Sequence, residues 1–410
     1  MRRVVVTGIG IVAPTGNTTE AAWQTALAGR SAVGPITRFD PAELPVRIAA
    51  EVKDLDVSPV MDAKLARQST RYIQLATVAA REAVADSGLN GADESERFGC
   101  SIGTGIGGIE LVDAQLQRFA ASGPSRVSPL LVPYSINNMA AGFVAIKEAL
   151  KGPNFCMTTA CASGTHAIGE AYLHIVGGTA DMMLAGGSEA SIIPLIVAGF
   201  ANMRALSTNN EDPTGASRPF DLNRDGFVIG EGCGLLVLEE YEHAVRRGAS
   251  IYAEMVGYGL SADAYHITGP PDDGEGAARA IRGCLKSGHI NPTDVDYINA
   301  HGTSTPANDA SETAAIASVL GAHAKRVAVS STKGGTGHCL GAAGGIEAAY
   351  TVLAIARQLV PPTANLTTPD PACYLDCVPG AAREMKVRYA LSNSFGFGGQ
   401  NASIAFKQFA

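Results

Sequence analysis

No stretch of this sequence approaches the ~20 consecutive apolar residues that span a bilayer as a helix, and no low-complexity run interrupts its 410 residues. A helical membrane protein and a disordered tail are therefore excluded as readings. Positive charge is in deficit: 31 Lys and Arg stand against 39 Asp and Glu, a formal net charge of -8. General nucleic-acid binding, which needs clustered cations on phosphates, does not fit. An anionic partner must find a local basic patch. The eight cysteines lack the paired spacing of a zinc site. Cys373 and Cys377 come nearest, but Pro371 and Pro379 flank them and no histidine is close. A nucleotide loop is missing too: "STKGGTGHCLGAAGG" has glycines without the order that precedes Gly-Lys-Ser/Thr in phosphate-cradling loops. The opening "MRRVVVTGIGIVAPTG" is broken by Thr7, Gly8, Gly10 and Pro14 and is followed by no small-residue cleavage site. It reads as a buried strand and turn rather than a secretory leader, and a cytoplasmic location is expected.

What is present is an α/β pattern. The chain is 46% hydrophobic and 17% charged, and at its length two domains or two fused halves are expected. Short runs rich in Val and Ile alternate with Ala-rich stretches of helical period. "RRVVVTG", "RFGCSIGTG", "NFCMTT" and "DMMLAGGSE" read as strands, and "TRYIQLATVAAREAVADSG" as a helix ending at Gly88. The order of elements repeats from "AEMVGYGLSAD" onward and closes on paired strands, "YALSNSFGFGG" and "QNASIAFKQF". A duplication joined near 248–252 follows, with halves at 1–250 and 251–410.

Four segments carry chemistry. In "TTACASGTHAIG" (158–169) small residues around Cys161 permit a sharp strand-to-helix turn, putting the thiol at a helix N-terminus. Free N–H groups and the helix dipole there favour a thiolate and provide half of an oxyanion hole. Taken alone, the pattern suits a buried core cysteine better. The other segments reverse that balance: His301 ends a strand in "NAHGTSTPANDASE", Lys333 and His338 lie on the glycine-rich turn, and glycines flank Phe397 in "NSFGFGGQN".

Together with "GTGIGG" (103–108), "SRPFDLNRDGFVIGEG" (217–232) and "AYHITGPP" (264–271), these segments resemble the elongating β-ketoacyl-[acyl-carrier-protein] synthases of type II fatty acid synthesis, over essentially the whole chain. The resemblance implies a thiolase-like fold, two duplicated α/β halves layered α-β-α-β-α, and a homodimer. It implies an acyltransferase in which Cys161 accepts the acyl chain, His301 and His338 stabilise the enolate formed when malonyl-carrier loses CO2, and the N–H groups of Cys161 and Phe397 hold the oxyanion. Lys333, paired with Glu347, would organise the histidines. Thr303 and Thr305 would bind the phosphopantetheine arm, and Thr268 would line its tunnel. Ile106, Phe200 and Leu131 would line the acyl pocket.

No cofactor is implied beyond the phosphopantetheine that the acyl carrier protein brings, although Asn299, Glu347, Ser392 and Asn393 could surround a structural monovalent cation. The acidic carrier would dock on Lys64, Arg67 and Arg71, on successive turns of one helix, with Arg126 and Arg204. Gly334, Gly335, Gly269 and Gln400 depart from the family pattern; Gly334 and Gly335 suggest a more flexible Lys333–His338 turn, and Gln400 lies beside a loop that would gate the acyl channel. They leave open a specialised ketosynthase of a polyketide-like or aryl-polyene pathway, working with a partner subunit. A thiolase would need a second active cysteine near the C-terminus, where this chain has "SFGFGGQN".

Overall fold

A computed structural model describes residues 2–90 and 94–409. Its main sheet has ten strands: β1 (Val4–Val12), β2 (Phe98–Gly103), β3 (Asn154–Phe155), β4 (Met182–Glu189), β5 (Gly232–Glu240), β6 (Ala253–Ala262), β7 (Tyr297–Asn299), β8 (Ala328–Ser330), β9 (Tyr389–Gly396) and β10 (Gln400–Gln408). They lie side by side as β8-β7-β9-β10-β6-β1-β5-β4-β2-β3. Read from each outer edge inward, both halves run third, second, fourth, fifth, first in chain order. The outer three strands of each are parallel, and the fourth, fifth and first alternate antiparallel. A short antiparallel seam, Val4–Val6 on Met255–Ala253, joins the halves. The duplication suspected from element order is thus a duplication of topology.

Six helices set the layers: α1 (Arg71–Ser87), α2 (Met139–Glu148), α3 (Ser163–Val176), α4 (Glu275–Ser287), α5 (Pro306–Leu320) and α6 (Ala343–Arg357). Helices α3 and α6 pack against each other and touch strands of both halves, so they form the middle layer. Helices α1 and α2 cover the outer side of the N-terminal half; α4, with α5 packed on it, covers that of the C-terminal half. The result is the layered α-β-α-β-α thiolase-like fold. Strands sandwiched this way are buried on both faces, which is why β1, β4 and β5 are buried at every position. The middle layer is thin because glycine lines it. A Cβ on Gly164 would stand 2.8 Å from the Gly345 nitrogen.

Both middle helices are entered the same way. A single 3-10 turn, Ala160–Ala162 before α3 and Leu340–Ala342 before α6, starts from a residue at positive φ (Ala160 +50°, Leu340 +48°). These two turns lie side by side at the centre of the molecule, and the first carries Cys161.

Three expectations need correcting. Strand β3 spans only Asn154–Phe155, so "CMTT" runs on as irregular chain toward the Cys161 turn. Strand β5 was hidden behind the glycines of "GEGCG" and went unread as a strand. Lys64 and Arg67 do not share a helix with Arg71: Ala63–Gln68 is a separate short helix capped by Asp62, and Ser69 and Thr70 are extended before α1 begins.

Candidate active site

Cys161 is buried at the first turn into α3. The turn is braced by Ser163, whose hydroxyl donates to the Ala160 carbonyl at 2.6 Å and accepts from the Thr159 N–H at 2.9 Å. The Phe397 N–H lies near enough to the sulfur to favour its charged form. Burial pushes that thiol up to about 12, against the opposing pull of Lys333 and the Phe397 amide. The helix-end position therefore does not yield a resting thiolate; desolvation wins.

His301 follows β7 and His338 precedes the second 3-10 turn, and both rings are buried. They meet edge to face, centroids 5.3 Å apart at 84°. Burial, then the nearby Lys333, holds each imidazole well below 6.5, with His338 adding to the effect on His301. Both are neutral, each with one N–H to give. The backbone around them is tightly held. The His301 and Gly302 N–H groups donate to the two oxygens of Glu312 at 2.8 and 2.7 Å. His338 donates its N–H to the Val228 carbonyl at 2.7 Å and accepts from the Gly230 N–H at 2.9 Å. Lys333 is 1% exposed and ion-paired with Glu347, the partner expected for it. Burial raises the Glu347 carboxyl to about 7 even with Lys333 against it.

Glu312 was missed by sequence reasoning. Its signal was a pair of carboxylates, Asp309 and Glu312, three residues apart on a helix face otherwise made of small and apolar residues. The expected slack at Gly334 and Gly335 is not found. Lys333–Thr336 forms a buried helical turn, and a Cβ on Gly334 would lie 2.6 Å from the Ala364 carbonyl oxygen.

Cys161, His301, His338 and Phe397 line one cavity of about 540 Å³. Ile106 and Phe200 form part of its wall, and Thr268, Thr303, Thr305 and Arg204 also line it. The Thr303 and Thr305 hydroxyls are 2.9 Å apart, and Thr305 also caps α5 by accepting from the Asn308 N–H at 3.3 Å. Leu131 is not part of this wall; it opens a short helix, Leu131–Ser135, outside the cavity. The glycine turn that carries Phe397 is tied to a neighbouring loop: Gly398 N–H donates to the Ile267 carbonyl at 2.8 Å and Asp263 N–H to the Gly399 carbonyl at 2.8 Å.

Beside this cluster, Asn299 Oδ1, Glu347 Oε2 and Ser392 Oγ are buried without hydrogen-bond partners. Asn299 and Ser392 face each other in register across β7 and β9. Three orphaned oxygens, one from a carboxyl group, suit a small hard cation. The fourth expected ligand departs from this: the Asn393 side chain is already engaged, donating to Glu312 at 3.4 Å and accepting from Ser403 at 2.8 Å.

Of the docking residues, Lys64, Arg67, Arg126 and Arg204 are exposed. Arg71 is not available for docking. It makes a two-pronged bond to the fully buried Glu231, both contacts at 2.8 Å, and donates to the Val52 carbonyl at 2.6 Å.

Residues 1–244 match the family model for the β-ketoacyl synthase N-terminal domain and residues 252–367 that for its C-terminal domain. The chain is 53% identical over 409 residues to a 3-oxoacyl-[acyl-carrier-protein] synthase 2 of Synechocystis sp., covering 100% of this chain and 98% of that one. It is 50% identical to the Coxiella burnetii protein of the same name, covering 99% of each. Among solved structures, a β-ketoacyl synthase from Burkholderia phymatum superimposes with a TM-score of 0.93 at 37% identity, covering 100% of both chains. So does a type II PKS acyl-carrier protein in complex with its ketosynthase bound to the hexaketide, with a TM-score of 0.93 at 39% identity and the same coverage.

Proposed function

This chain belongs to the β-ketoacyl synthase family, and from that premise we propose that its central cavity carries out the decarboxylative condensation of malonyl-carrier with an acyl chain held on Cys161. The enzyme is an acyltransferase of fatty acid elongation. One observation carries the assignment of roles: a buried thiol and two neutral imidazoles share a single cavity, with Phe397 in the same wall.

In the first half-reaction Cys161 attacks the acyl-carrier thioester carbonyl, and the carrier's pantetheine thiol leaves with the proton. The thiol must lose that proton as it attacks, because it rests protonated. The negative oxygen of the tetrahedral intermediate takes hydrogen bonds from the Cys161 and Phe397 N–H groups. In the second, the C–C bond to the malonyl carboxylate breaks and CO2 leaves. Its electron pair moves into the thioester, whose oxygen takes hydrogen bonds from His301 and His338. Neutral rings suit this task, since a charged ring would lose its proton to the enolate rather than share it. The enolate carbon then attacks the acyl-Cys161 carbonyl, and the sulfur departs as a thiolate, which takes a proton from water to restore the resting thiol, leaving a β-ketoacyl-carrier. Lys333 acts through its charge and its bond to Glu347, holding both histidines neutral. Thr303 and Thr305 hydrogen-bond the pantetheine amides, Thr268 lines the tunnel, and Ile106 and Phe200 bound the acyl chain.

The carrier docks on Lys64, Arg67, Arg126 and Arg204, and the enzyme works as a homodimer. The oxygens of Asn299, Glu347 and Ser392 would hold a monovalent cation beside the strand that His301 follows. Residues 1–250 and 251–410 are its two halves. A cytoplasmic location fits fatty acid elongation; among the described residues no helix is long and apolar enough to cross a membrane. The specialised-pathway alternative is not favoured, because relatives at 50% identity and above carry the 3-oxoacyl synthase name.

The test is to incubate the protein with malonyl-carrier and acyl-carriers from short to long and aromatic, following β-ketoacyl product and Cys161 acylation by intact mass spectrometry. Product with saturated chains is expected. Acylated Cys161 without product, or product from aromatic chains alone, would overturn the reading.

A further inference from the structure

Glu189 ends β4 and is completely buried, yet no step above uses it. Its two oxygens collect five donors. Oε1 accepts from Thr104 Oγ1 at 3.0 Å, Ser191 Oγ at 3.1 Å and the Ile106 N–H at 3.3 Å. Oε2 accepts from the Gly105 N–H at 2.6 Å and the Gly341 N–H at 3.1 Å. Burial pushes the Glu189 pKa up, but every neighbour gives a proton and three of them, being amides, can do nothing else, a donor set that fits a carboxylate. The donors come from opposite halves of the chain. Thr104 to Ile106 follow β2 and end in the cavity wall; Gly341 belongs to the turn that begins just past His338. Space there is tight: a Cβ on either Gly105 or Gly341 would stand 2.8 Å from Glu189 Oε2. Gly341 occupies in its turn the middle place that Cys161 holds in the other.

We propose that Glu189 is a positioning residue for this reaction, one buried carboxylate that fastens the Ile106 wall of the acyl pocket to the turn behind His338. It sets two things at once, the bore of the pocket and the aim of the second imidazole. The inference rests on the condensing-enzyme reading above.

Two variants separate these duties. In Glu189→Gln the amide nitrogen fits best at the Oε1 place, where the Thr104 and Ser191 hydroxyls can turn round to accept; the Ile106 N–H alone then loses its acceptor. Gly105 and Gly341 keep theirs. The wall loosens while the histidine turn stays anchored. Glu189→Ala releases both. Condensation by the wild type, measured in the same assay, checks the underlying reading separately. Given that, E189Q is expected to decarboxylate malonyl-carrier within about threefold of wild type while its preference among acyl-chain lengths broadens. E189A, folded by circular dichroism, should lose about tenfold or more in decarboxylation, the scale of one charge-assisted hydrogen bond. Equal losses in both variants, or unchanged chain-length preference in E189Q, would overturn the proposal.

Discussion

At the scale of single residues, the chemistry depends on what burial does to ionisable groups. Cys161 sits where a helix end favours thiolate, but it is 7% exposed and pushed up to about 12. Its thiolate fraction therefore grows by the full factor for each pH unit below that value. Alkylation of the free enzyme by iodoacetamide should climb about tenfold per unit between about pH 7 and 10. A plateau near about pH 8 would mean that the helix end outweighs burial after all. The same burial keeps His301 and His338 neutral, and the two rings should be separable from the thiol by mutation. His301→Ala and His338→Ala should each lower malonyl-carrier decarboxylation by about 10²–10³-fold, as loss of one oxyanion donor does elsewhere. Cys161 acylation, followed by intact mass, should stay within about tenfold.

Among the elements, the break at Ser69 and Thr70 decides which cations are free. Ser69 closes the short helix through its N–H on the Leu65 carbonyl, and the Thr70 hydroxyl is drawn instead to the Tyr134 carbonyl at 3.0 Å. The chain turns there, leaving Lys64 and Arg67 in solvent and delivering Arg71 to the buried Glu231. Arg71→Ala should therefore cost about 3 kcal/mol of stability, the effect of stranding a buried charge, read as a lowered midpoint in urea. Lys64→Ala and Arg67→Ala should leave that midpoint unchanged and raise KM for carrier-linked substrates with little change in kcat. Equal destabilisation by all three would contradict the division.

On the scale of the whole molecule, net charge and local charge oppose each other. With a formal net charge of -8 the enzyme repels an acidic carrier at long range, so docking relies on a few exposed cations. Raising salt from about 50 to 500 mM should raise KM for acyl-carrier, because screening at the higher strength removes a patch's attraction within a few ångströms. KM for a short acyl-pantetheine thioester without the protein should not move. If both rise together, the patch is not where the carrier binds.

By itself the sequence made the class of fold legible and pointed to Cys161, His301, His338, Lys333 and Glu347, through the resemblance that the four segments carry together rather than through any one of them. Cys161 sits among small residues, His301 at a strand end, and His338 and Phe397 among glycines. The pattern of buried strands alternating with helices is equally local. Only the tertiary structure decided what those groups are worth. Glu312 ends the same segment as His301, but only the fold turns it back onto the His301 backbone; Glu189 reaches the site from elsewhere in the chain, and nothing beside it marks its target. The fate of Arg71 depends on a partner 160 residues away. The resting state of the thiol was misread because helix ends are visible in a sequence and desolvation is not. Burial belongs to the assembled layers, and in this protein it is the largest influence on the protonation of Cys161, His301 and His338.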